Sequence, residues 1–328
     1  MAQFNRRNLL AVGLLVLGVA MALGLRLFPW PETQADWQTG STVQSSPGVT
    51  ARDRPLQAPA DPFQSGFQAG LRSETVILPQ AVVHLLTIPA GSPQIQVAVT
   101  AELKTVADWA RDSGAIAVLN GGFFDPQNGQ TTSFITVDSA VVADPRSNVR
   151  LMDNPSLAPY LESILNRSEF RRLDCGSRVR YSINFHSAAP EDCTVVDAVG
   201  AGPQLLPADT AAAEGFVDFN AAGEISRDAL GSRSPNARSA VGIKANGDVI
   251  WAMVAQRPTV EGPSGMTLQE LADFLQRQGA VSALNLDGGS SASFYLQGET
   301  HYGKLDADGK AIQRPVKSVL MLAGSLSP

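Results

Sequence analysis

The chain has 328 residues, of which 44% are hydrophobic and 17% are charged, enough apolar material to bury a sizeable core. Its formal net charge is −6, so it lacks the overall basic character of a nucleic-acid-binding protein. The same acidity disfavours docking on anionic lipid through charge. A single domain of about 250 residues behind an N-terminal tail fits this length.

Residues 1–28 predict an export signal. Arg6 and Arg7 precede an uncharged run over residues 8–25, which Arg26 ends. A basic flank before an apolar run keeps the basic end in the cytoplasm, and a membrane span needs roughly 17–25 residues. We expect a signal anchor over residues 8–28 that leaves the rest of the chain in the cell envelope, on the periplasmic side. A cleaved signal peptide, which would give a secreted protein, is the alternative.

Residues 29–72 are rich in Pro, Gln, Ser, Thr and Ala and show no sustained apolar periodicity. Such a composition is typical of a flexible linker. We therefore expect a disordered tether between the membrane and a globular domain over residues 73–328.

The globular domain shows many short strand patterns and few helical ones. Strands are predicted over residues 75–79, 82–88, 94–100, 115–119, 133–137, 140–142, 194–200, 238–243, 249–254, 280–286, 294–296 and 317–323. Helices are predicted over residues 105–112, near residues 157–166, and after Thr267, where Thr267 and Glu270 form a capping box. The fold class is therefore α+β, a mixed or antiparallel sheet with a few helices.

Two stretches of the domain have weaker patterns. Residues 145–192 are polar and locally basic, but acidic residues are interleaved with the arginines, which predicts a solvated surface insertion around one helix. Residues 208–237 predict a loop-rich excursion.

The two cysteines and three histidines bear on redox chemistry and metal binding. In an exported domain Cys175 and Cys193 would meet an oxidising compartment, so one disulfide that closes a local loop is expected. A metal-binding cysteine pair is the competing interpretation, but no Cys-x-x-Cys motif or histidine cluster accompanies it. No cofactor is expected.

Three predicted strand boundaries carry polar residues beside a glycine or a small residue. They are Asn120-Gly121-Gly122-Phe123-Phe124-Asp125, Arg238-Ser239-Ala240-Val241-Gly242 and Asn285-Leu286-Asp287-Gly288-Gly289-Ser290-Ser291. Glycines let the backbone come close to a ligand, and a carboxylate at the end of a buried strand is held by a rigid scaffold. Each stretch alone also fits a plain turn; their recurrence favours a shared pocket.

Motifs of several other enzyme classes do not occur in the sequence. There is no Gly-x-Ser-x-Gly nucleophile elbow, no Gly-x-x-x-x-Gly-Lys-Ser/Thr loop and no Gly-x-Gly-x-x-Gly fingerprint. The stretch 306–309 has part of a calcium-loop pattern but lacks its later ligands, so a turn is expected there.

The three stretches, together with Gly202-Pro203-Gln204-Leu205-Leu206 and residues 267–271, occur in an order that resembles the phosphodiester glycosidase family. The resemblance spans roughly residues 75–324. The family commonly has three glycines after the aspartate, where this chain has Gly288-Gly289-Ser290. It also commonly has Thr after the arginine, where this chain has Ser239.

The resemblance implies hydrolysis of a sugar-1-phosphodiester on its sugar side, so that the phosphate stays on the acceptor. Arg238 is predicted to hold the phosphate, and Asp287 to act as base, nucleophile or stabiliser of positive charge on the sugar. Asp125 and Glu261 are the candidate second carboxylates. Substrate-binding positions are predicted at Asn120, Gly121, Gly122, Gly202, Asn285, Gly288, Gly289, Ser290 and Ser291.

Structural interpretations of the same residues stay open. Arg238 could pair with a structural carboxylate, Asp125 could be a turn residue before Pro126, and Glu261 could be an ordinary loop residue. The two serines are interpreted as hydrogen-bonding groups, because no histidine is placed in the sequence to activate them.

The expected substrate is a glycosyl phosphodiester in an envelope polysaccharide, a teichoic-acid-like polymer or a glycolipid, and no nucleic acid is expected as a partner. Two alternatives remain at this level. One is a non-catalytic module that binds carbohydrate or organises the envelope, and the other is a metal-dependent phosphodiesterase that cleaves the phosphate side.

Overall fold

The structure is a computed structural model that describes residues 70–91, 94–258 and 262–323. The predicted signal anchor, nearly all of the predicted linker, and Glu261 lie outside these residues. Among the described residues, no helix is long and apolar enough to cross a membrane.

The first sheet has six strands in the order β1-β2-β14-β13-β15-β10, numbered along the chain. All its neighbouring strands are antiparallel. The strands are β1 (Arg72–Ile77), β2 (Ala81–Ile88), β10 (Gln204–Leu206), β13 (Arg238–Lys244), β14 (Val249–Gln256) and β15 (Ala280–Asn285). Because β14 runs through the middle of the sheet with both faces covered, its first six residues are all buried.

The second sheet has five antiparallel strands in the order β17-β16-β4-β18-β3. They are β3 (Ile95–Lys104), β4 (Ala115–Asn120), β16 (Ser293–Leu296), β17 (Glu299–Tyr302) and β18 (Val316–Ala323). The last of the described strands, β18, therefore lies between two early strands.

The third sheet also has five antiparallel strands, in the order β6-β5-β9-β7-β8. They are β5 (Ile135–Val137), β6 (Ala140–Ala143), β7 (Ser168–Asp174), β8 (Val179–Phe185) and β9 (Thr194–Gly200). A separate two-stranded hairpin comprises β11 (Val217–Phe219) and β12 (Ile225–Asp228).

Four α-helices accompany the sheets in the described chain. They are α1 (Val106–Ser113), α2 (Val149–Met152), α3 (Leu161–Leu165) and α4 (Leu268–Arg277). The predicted capping box at the start of α4 is confirmed: Thr267 Oγ1 accepts from the Glu270 N–H at 3.1 Å, and Glu270 accepts from the Thr267 N–H at 2.8 Å. These mutual bonds satisfy backbone groups that the first turn leaves free.

One apolar core connects all three sheets. It includes Leu86 and Trp251 from the first sheet, Leu119 and Leu320 from the second, and Phe170 from the third. A second cluster packs α4 against the opposite face of the first sheet, and a third packs α1 against the second sheet. The molecule is thus mostly sheet with few helices, as an α+β fold requires, and every strand pair in the described chain is antiparallel.

The prediction of a solvated insertion over residues 145–192 is wrong. Strand β7 lies between β8 and β9, and its charged side chains Glu169 and Arg171 are each 3% exposed. Their charges satisfy each other, because Arg171 Nε is 2.9 Å from Glu169 Oε2 and the same guanidinium donates to three carbonyl oxygens. The mixed charges of this stretch predict a solvent-exposed segment, whereas in the structure they form a buried ion pair.

The predicted disulfide between Cys175 and Cys193 is formed. Cys175 follows β7, and Cys193 directly precedes β9, which is the strand paired with β7.

Candidate active site

Asp287 lies two residues beyond the end of β15, and the end of β4 holds its backbone. The side-chain amide of Asn120 donates to the Asp287 carbonyl oxygen at 2.7 Å, and the Asp287 N–H donates to the Gly121 carbonyl oxygen at 3.1 Å. Because β15 and β4 belong to different sheets, these two bonds hold the aspartate where the sheets meet.

Asn120 is fully buried and uses both ends of its side-chain amide inside the protein. Its Oδ1 accepts from Ser239 Oγ at 2.7 Å and from the Ser293 N–H at 3.1 Å, while Nδ2 donates to Asp287. The sequence predicts Asn120 as a ligand for the substrate. In this structure its side-chain hydrogen bonds are made within the protein, and one of them holds the backbone of Asp287 in position.

The Asp287 carboxyl lies deep among protein atoms and is only partly reached by solvent. Burial raises the pKa of Asp287 to about 6, while the Ser291 hydroxyl, the charge of Arg314 and the Gly288 N–H oppose this rise. The carboxyl therefore changes charge within the range in which most enzymes work, which is typical of groups that transfer protons or stabilise positive charge.

Arg314 is the cation that acts on Asp287, and the sequence analysis did not single it out. It lies in the segment before β18, where its Nη1 donates to Ser290 Oγ at 2.8 Å and its guanidinium lies 5.0 Å from the centre of the Phe124 ring. Its other N–H groups donate no hydrogen bond to the described residues. The only sequence signal was an arginine before Pro315 at the start of an apolar strand, which is a common arrangement.

Arg238, the predicted phosphate ligand, is 3% exposed and donates to four backbone carbonyl oxygens. These acceptors are those of Met266, Leu230, Gly231 and Ser234, at 2.7–3.1 Å. Burial lowers the pKa of Arg238 to about 10, against the charge of Asp228, which raises it. The side chain passes beside Gly288 and fastens the neighbouring loop to β13. Its role as a phosphate ligand stays a prediction.

Most of the backbone N–H groups predicted to bind substrate are bonded within the fold. Those of Gly121 and Gly122 donate to the carbonyl oxygen and Oγ of Ser318, at 2.8 and 3.2 Å, and that of Gly289 donates to Ala237 at 2.8 Å. Gly122 is needed for close packing, because a Cβ there would lie 2.0 Å from the Gly200 carbonyl oxygen.

The structure does not place Asp125 as a free second carboxylate. Its Oδ2 is 2.8 Å from Arg150 Nε, and its Oδ1 accepts from the Gln127 N–H at 2.9 Å. Burial raises the pKa of Asp125, but these two bonds more than compensate and the pKa is lowered. The turn role considered in the sequence analysis fits this geometry, while Glu261 lies outside the described residues.

Two buried polar atoms next to Asp287 in sequence have no protein partner among the described residues. They are Asn285 Oδ1 and Ser291 Oγ. Ser291 Oγ lies close enough to lower the pKa of Asp287, although its alignment falls outside normal hydrogen-bond geometry. A buried acceptor or hydroxyl without a partner costs free energy, so the segment after β15 is less well satisfied than the one after β4. Within the described ranges, no cluster of three His, Cys, Asp or Glu side chains is arranged to hold a metal ion.

A family model described as phosphodiester glycosidase matches residues 113–323, which is more than half of the chain. The chain belongs to the phosphodiester glycosidase family. This membership confirms the resemblance in the sequence and the assignment of the domain to the hydrolases. The matched range includes Asn120, Asp287 and Arg314, so all parts of the site described above lie within the phosphodiester glycosidase domain.

Two curated relatives share a short segment with this chain. The N-acetylglucosamine-1-phosphodiester alpha-N-acetylglucosaminidase of Mus musculus is 44% identical over 63 residues, which are 19% of this chain and 12% of that protein. The protein of the same name from Bos taurus is 41% identical over 63 residues, 19% of this chain and 11% of that protein. The matches thus cover about an eighth of these relatives.

Solved structures show the same fold at low sequence identity. The zebrafish N-acetylglucosamine-1-phosphodiester alpha-N-acetylglucosaminidase catalytic domain, auto-inhibited by its pro-peptide, has a TM-score of 0.53 and 18% identity over 77% of this chain and 82% of that chain. A Burkholderia pseudomallei protein described as exported has a TM-score of 0.54 and 16% identity, with 74% of each chain covered. A hypothetical protein from Synechocystis has a TM-score of 0.51 and 18% identity over 76% of this chain and 61% of that chain.

Proposed function

We propose that this protein hydrolyses a glycosyl-1-phosphodiester and breaks the bond between the sugar C1 and the phosphate oxygen. The observation that carries the proposal is the Asp287 carboxyl, which two strand ends hold in place and whose pKa burial raises to about 6. Family membership and the names of the curated relatives support the substrate class.

The phosphate is assigned to Arg314, because this guanidinium acts on Asp287 and has donors not bonded to the described residues. A phosphodiester carries one negative charge, and an arginine can bind two of its oxygens at once. As the C1–oxygen bond breaks, its electron pair moves to the phosphate, and charge–charge attraction to Arg314 stabilises the phosphate monoester that leaves.

Asp287 acts in its ionised form on the sugar side. It either accepts the proton of the water molecule that attacks C1, or stabilises the positive charge that develops on the sugar, or bonds to C1 before water releases the sugar. A departing phosphate monoester needs little protonation, so this chemistry proceeds with one carboxylate in place. The products are the free sugar and the acceptor phosphate.

The decisive experiment measures turnover of the methyl phosphodiester of N-acetylglucosamine 1-phosphate by the chain of residues 1–328. Asp287→Asn is expected to lower kcat about a thousandfold or more, because the carboxylate is replaced by a group that cannot accept a proton or carry charge. The wild-type rate should fall as the pH decreases through about 6, where Asp287 becomes protonated.

Two controls accompany this measurement. Asp306→Asn changes a carboxylate that only caps a surface turn and should leave kcat unchanged. Asp125→Asn tests the second candidate carboxylate, and its ion pair with Arg150 predicts less than about a threefold effect on kcat.

The products separate the alternatives. Release of sugar phosphate in a chelator-sensitive reaction would identify a metal-dependent phosphodiesterase. Saturable binding of the diester without any turnover would identify a binding module. Unchanged turnover in Asp287→Asn would contradict the proposed role of the aspartate.

We further propose that the protein is exported and attached to the membrane by residues 8–28, and that its substrate lies in an envelope glycan or glycolipid. The basic flank and apolar run of the sequence, the disulfide, and the similar structure described as exported support this assignment. Recovery of the full-length chain in the soluble fraction after cell lysis, without detergent, would contradict attachment.

A further inference from the structure

Arg167 is a buried arginine that the mechanism above does not use. It lies immediately before β7 and is 9% exposed. Its guanidinium stacks 3.7 Å from the centre of the Phe216 ring and lies 6.0 Å from that of Phe123. Its Nε donates to the Glu214 carbonyl oxygen at 3.2 Å, which fixes the plane of the guanidinium against the aromatic ring.

The two terminal nitrogens of Arg167 donate no hydrogen bond to any described residue, and no described carboxylate oxygen lies within salt-bridge distance. The nearest acidic group, Glu214, is already bonded to neutral donors: the Ser168 N–H at 3.0 Å, the Ser168 hydroxyl at 2.8 Å, the Gln204 N–H at 3.1 Å, and the Thr210 hydroxyl. The Glu214 charge offsets part of the cost of burying Arg167, but its oxygens are bonded to those other donors, so the terminal nitrogens of Arg167 can still bind an anionic ligand.

A second arginine, Arg227, lies near Arg167. Arg227 donates from Nη1 to the Gly215 carbonyl oxygen at 2.6 Å and stacks 4.2 Å from the centre of the Tyr160 ring. Desolvation lowers the pKa of Arg167 to about 10, and the charge of Arg227 acts in the same direction against that of Glu214. Both arginines lie beside the Gly215–Phe216 segment, and Asp218 accepts from the Tyr160 hydroxyl on the ring that Arg227 stacks against.

The cluster of Arg167, Phe216 and Glu214 is linked through Gly202 to the strand end that precedes Asp287. Gly202 and Asn285 exchange two hydrogen bonds, at 3.0 and 2.9 Å, and Asn285 precedes Asp287 by two residues. On its other side, Gly202 has φ +111°, and a Cβ there would lie 3.0 Å from the Phe216 ring and 2.1 Å from Glu214 Oε2. Because Gly202 has no side chain, Phe216 and Glu214 can pack directly against this backbone segment.

Arg167 and Arg314 contact different neighbours around the same backbone segment. Arg167 faces Phe123, and Arg314 faces Phe124 and binds Ser290. The charge of Arg314 acts on Asp287, whereas Arg167 interacts with Glu214 and Arg227. The site thus offers two separate positions for anionic groups, of which one suffices for the phosphodiester.

We propose that Arg167, supported by Arg227, binds a second acidic group of the substrate, a carboxylate or phosphate on the sugar. This inference rests on the proposed function and narrows its substrate class to glycosyl phosphodiesters whose sugar is itself charged. A planar guanidinium held against an aromatic ring is suited to bidentate contact with either oxyanion.

The test compares three probes that differ only at C6 of the sugar. They are the methyl phosphodiesters of N-acetylglucosamine 1-phosphate, of the corresponding uronic acid, and of the 6-phosphorylated sugar. The full-length wild type should show a kcat/KM about 10- to 100-fold higher for at least one acidic probe than for the neutral one. The two acidic probes distinguish a carboxylate from a phosphate ligand.

Arg167→Gln should lower the ratio of kcat/KM for the preferred acidic probe to kcat/KM for the neutral probe to about one. Arg167→Lys should keep part of the preference, because it retains the charge and loses the bidentate geometry. Arg146→Gln is the matched control: Arg146 also lies over an aromatic ring, that of Phe134, but it pairs with Asp144 at the surface and should not affect the preference.

An equal loss on all three probes in a folded Arg167→Gln chain, or a wild type without preference for either acidic probe, would overturn the inference. Thermal unfolding checks that the variant folds; if it does not, Arg227→Gln, at a more exposed position, should reduce the preference about threefold.

If no probe is turned over, the proposed function fails, and calorimetry then tests separately whether Arg167 binds an acidic sugar. N-acetylglucosaminuronic acid should then bind more tightly than N-acetylglucosamine to the wild type and equally weakly to Arg167→Gln; equal binding to the wild type would overturn the inference.

Discussion

The ends of β4 and β15 look alike in sequence and differ in how their polar atoms are bonded. Each strand is apolar, ends in an asparagine and is followed within three residues by a glycine pair. After β4, Asn120 has partners on both sides of its amide, and the next two N–H groups are bonded to Ser318. After β15, Asn285 Oδ1 and Ser291 Oγ are buried without described partners, and Asp287 has a raised pKa.

This difference separates the supporting segment from the reactive one. Satisfied polar groups stabilise a fold, whereas unsatisfied ones are maintained at a free-energy cost that a bound ligand can offset. The first segment therefore acts as a scaffold, and the second carries Asp287, the carboxylate to which we assign the chemistry. A substitution in the first segment should therefore affect stability more than activity, and a substitution in the second segment should affect activity more than stability.

The largest effect on stability is expected for Asn120→Ala. It would leave the Ser239 hydroxyl, the Ser293 N–H and the Asp287 carbonyl oxygen without partners in a buried position, at a cost of about 3–5 kcal/mol in the free energy of unfolding. Asn285→Ala is the matched control, because this side chain makes one hydrogen bond, to the Gly202 carbonyl oxygen, and should cost about 1–2 kcal/mol. Urea unfolding of both variants measures the difference, and equal costs would contradict the comparison.

Asp287→Asn should stabilise the protein while it removes activity. The folded-state pKa, about 6, lies above the ordinary value of 3.8, so ionisation weakens the folded state as the pH rises through this range. The neutral amide avoids that loss and should raise the free energy of unfolding by about 2 kcal/mol at pH 8. The gain should nearly vanish at about pH 4, where the folded wild type is protonated. A variant less stable than the wild type at pH 8 would show that the carboxylate supports the fold.

The smallest effect on stability is expected for Ser291→Ala. Its hydroxyl has no described hydrogen-bond partner of normal geometry, so its removal should change the free energy of unfolding by less than about 0.5 kcal/mol. Because this hydroxyl lowers the pKa of Asp287, the fall in turnover at low pH should move to higher pH in the variant. A pH–rate profile identical to that of the wild type would contradict contact between the two side chains.

Much of the sheet framework could be predicted from the sequence, because its strands are apolar and bounded by clear turns. The strands that were missed, such as β7, owe their burial to contacts that no local pattern contains. Glu169 and Arg171 are polar in sequence and are compatible with the interior only because the fold brings their charges together. Pairing across the sheet, and so the central position of β7, depends on strands distant in sequence.

The residues of the candidate site also divide into those that the sequence reveals and those that only the fold reveals. Asp287 could be singled out because a carboxylate stands beside glycines after a buried strand. Arg238 was equally prominent, but its guanidinium is bonded to carbonyl oxygens of a loop whose course the sequence does not reveal. Arg314 stands alone in sequence and Arg167 is one of several arginines in a locally basic stretch, and only the folded chain shows that each lies beside a phenylalanine of the segment after β4.

The position of β18 has a consequence for the order in which the protein is made. This strand is the latest of the described strands, yet it separates β3 from β4, so those two strands cannot take their final places before it emerges from the ribosome. Arg314 lies two residues before the same strand, and Ser318, which anchors Gly121 and Gly122, lies within it. Completion of the second sheet and assembly of the reactive centre therefore both require β18, and a nascent chain that stops short of β18 has neither.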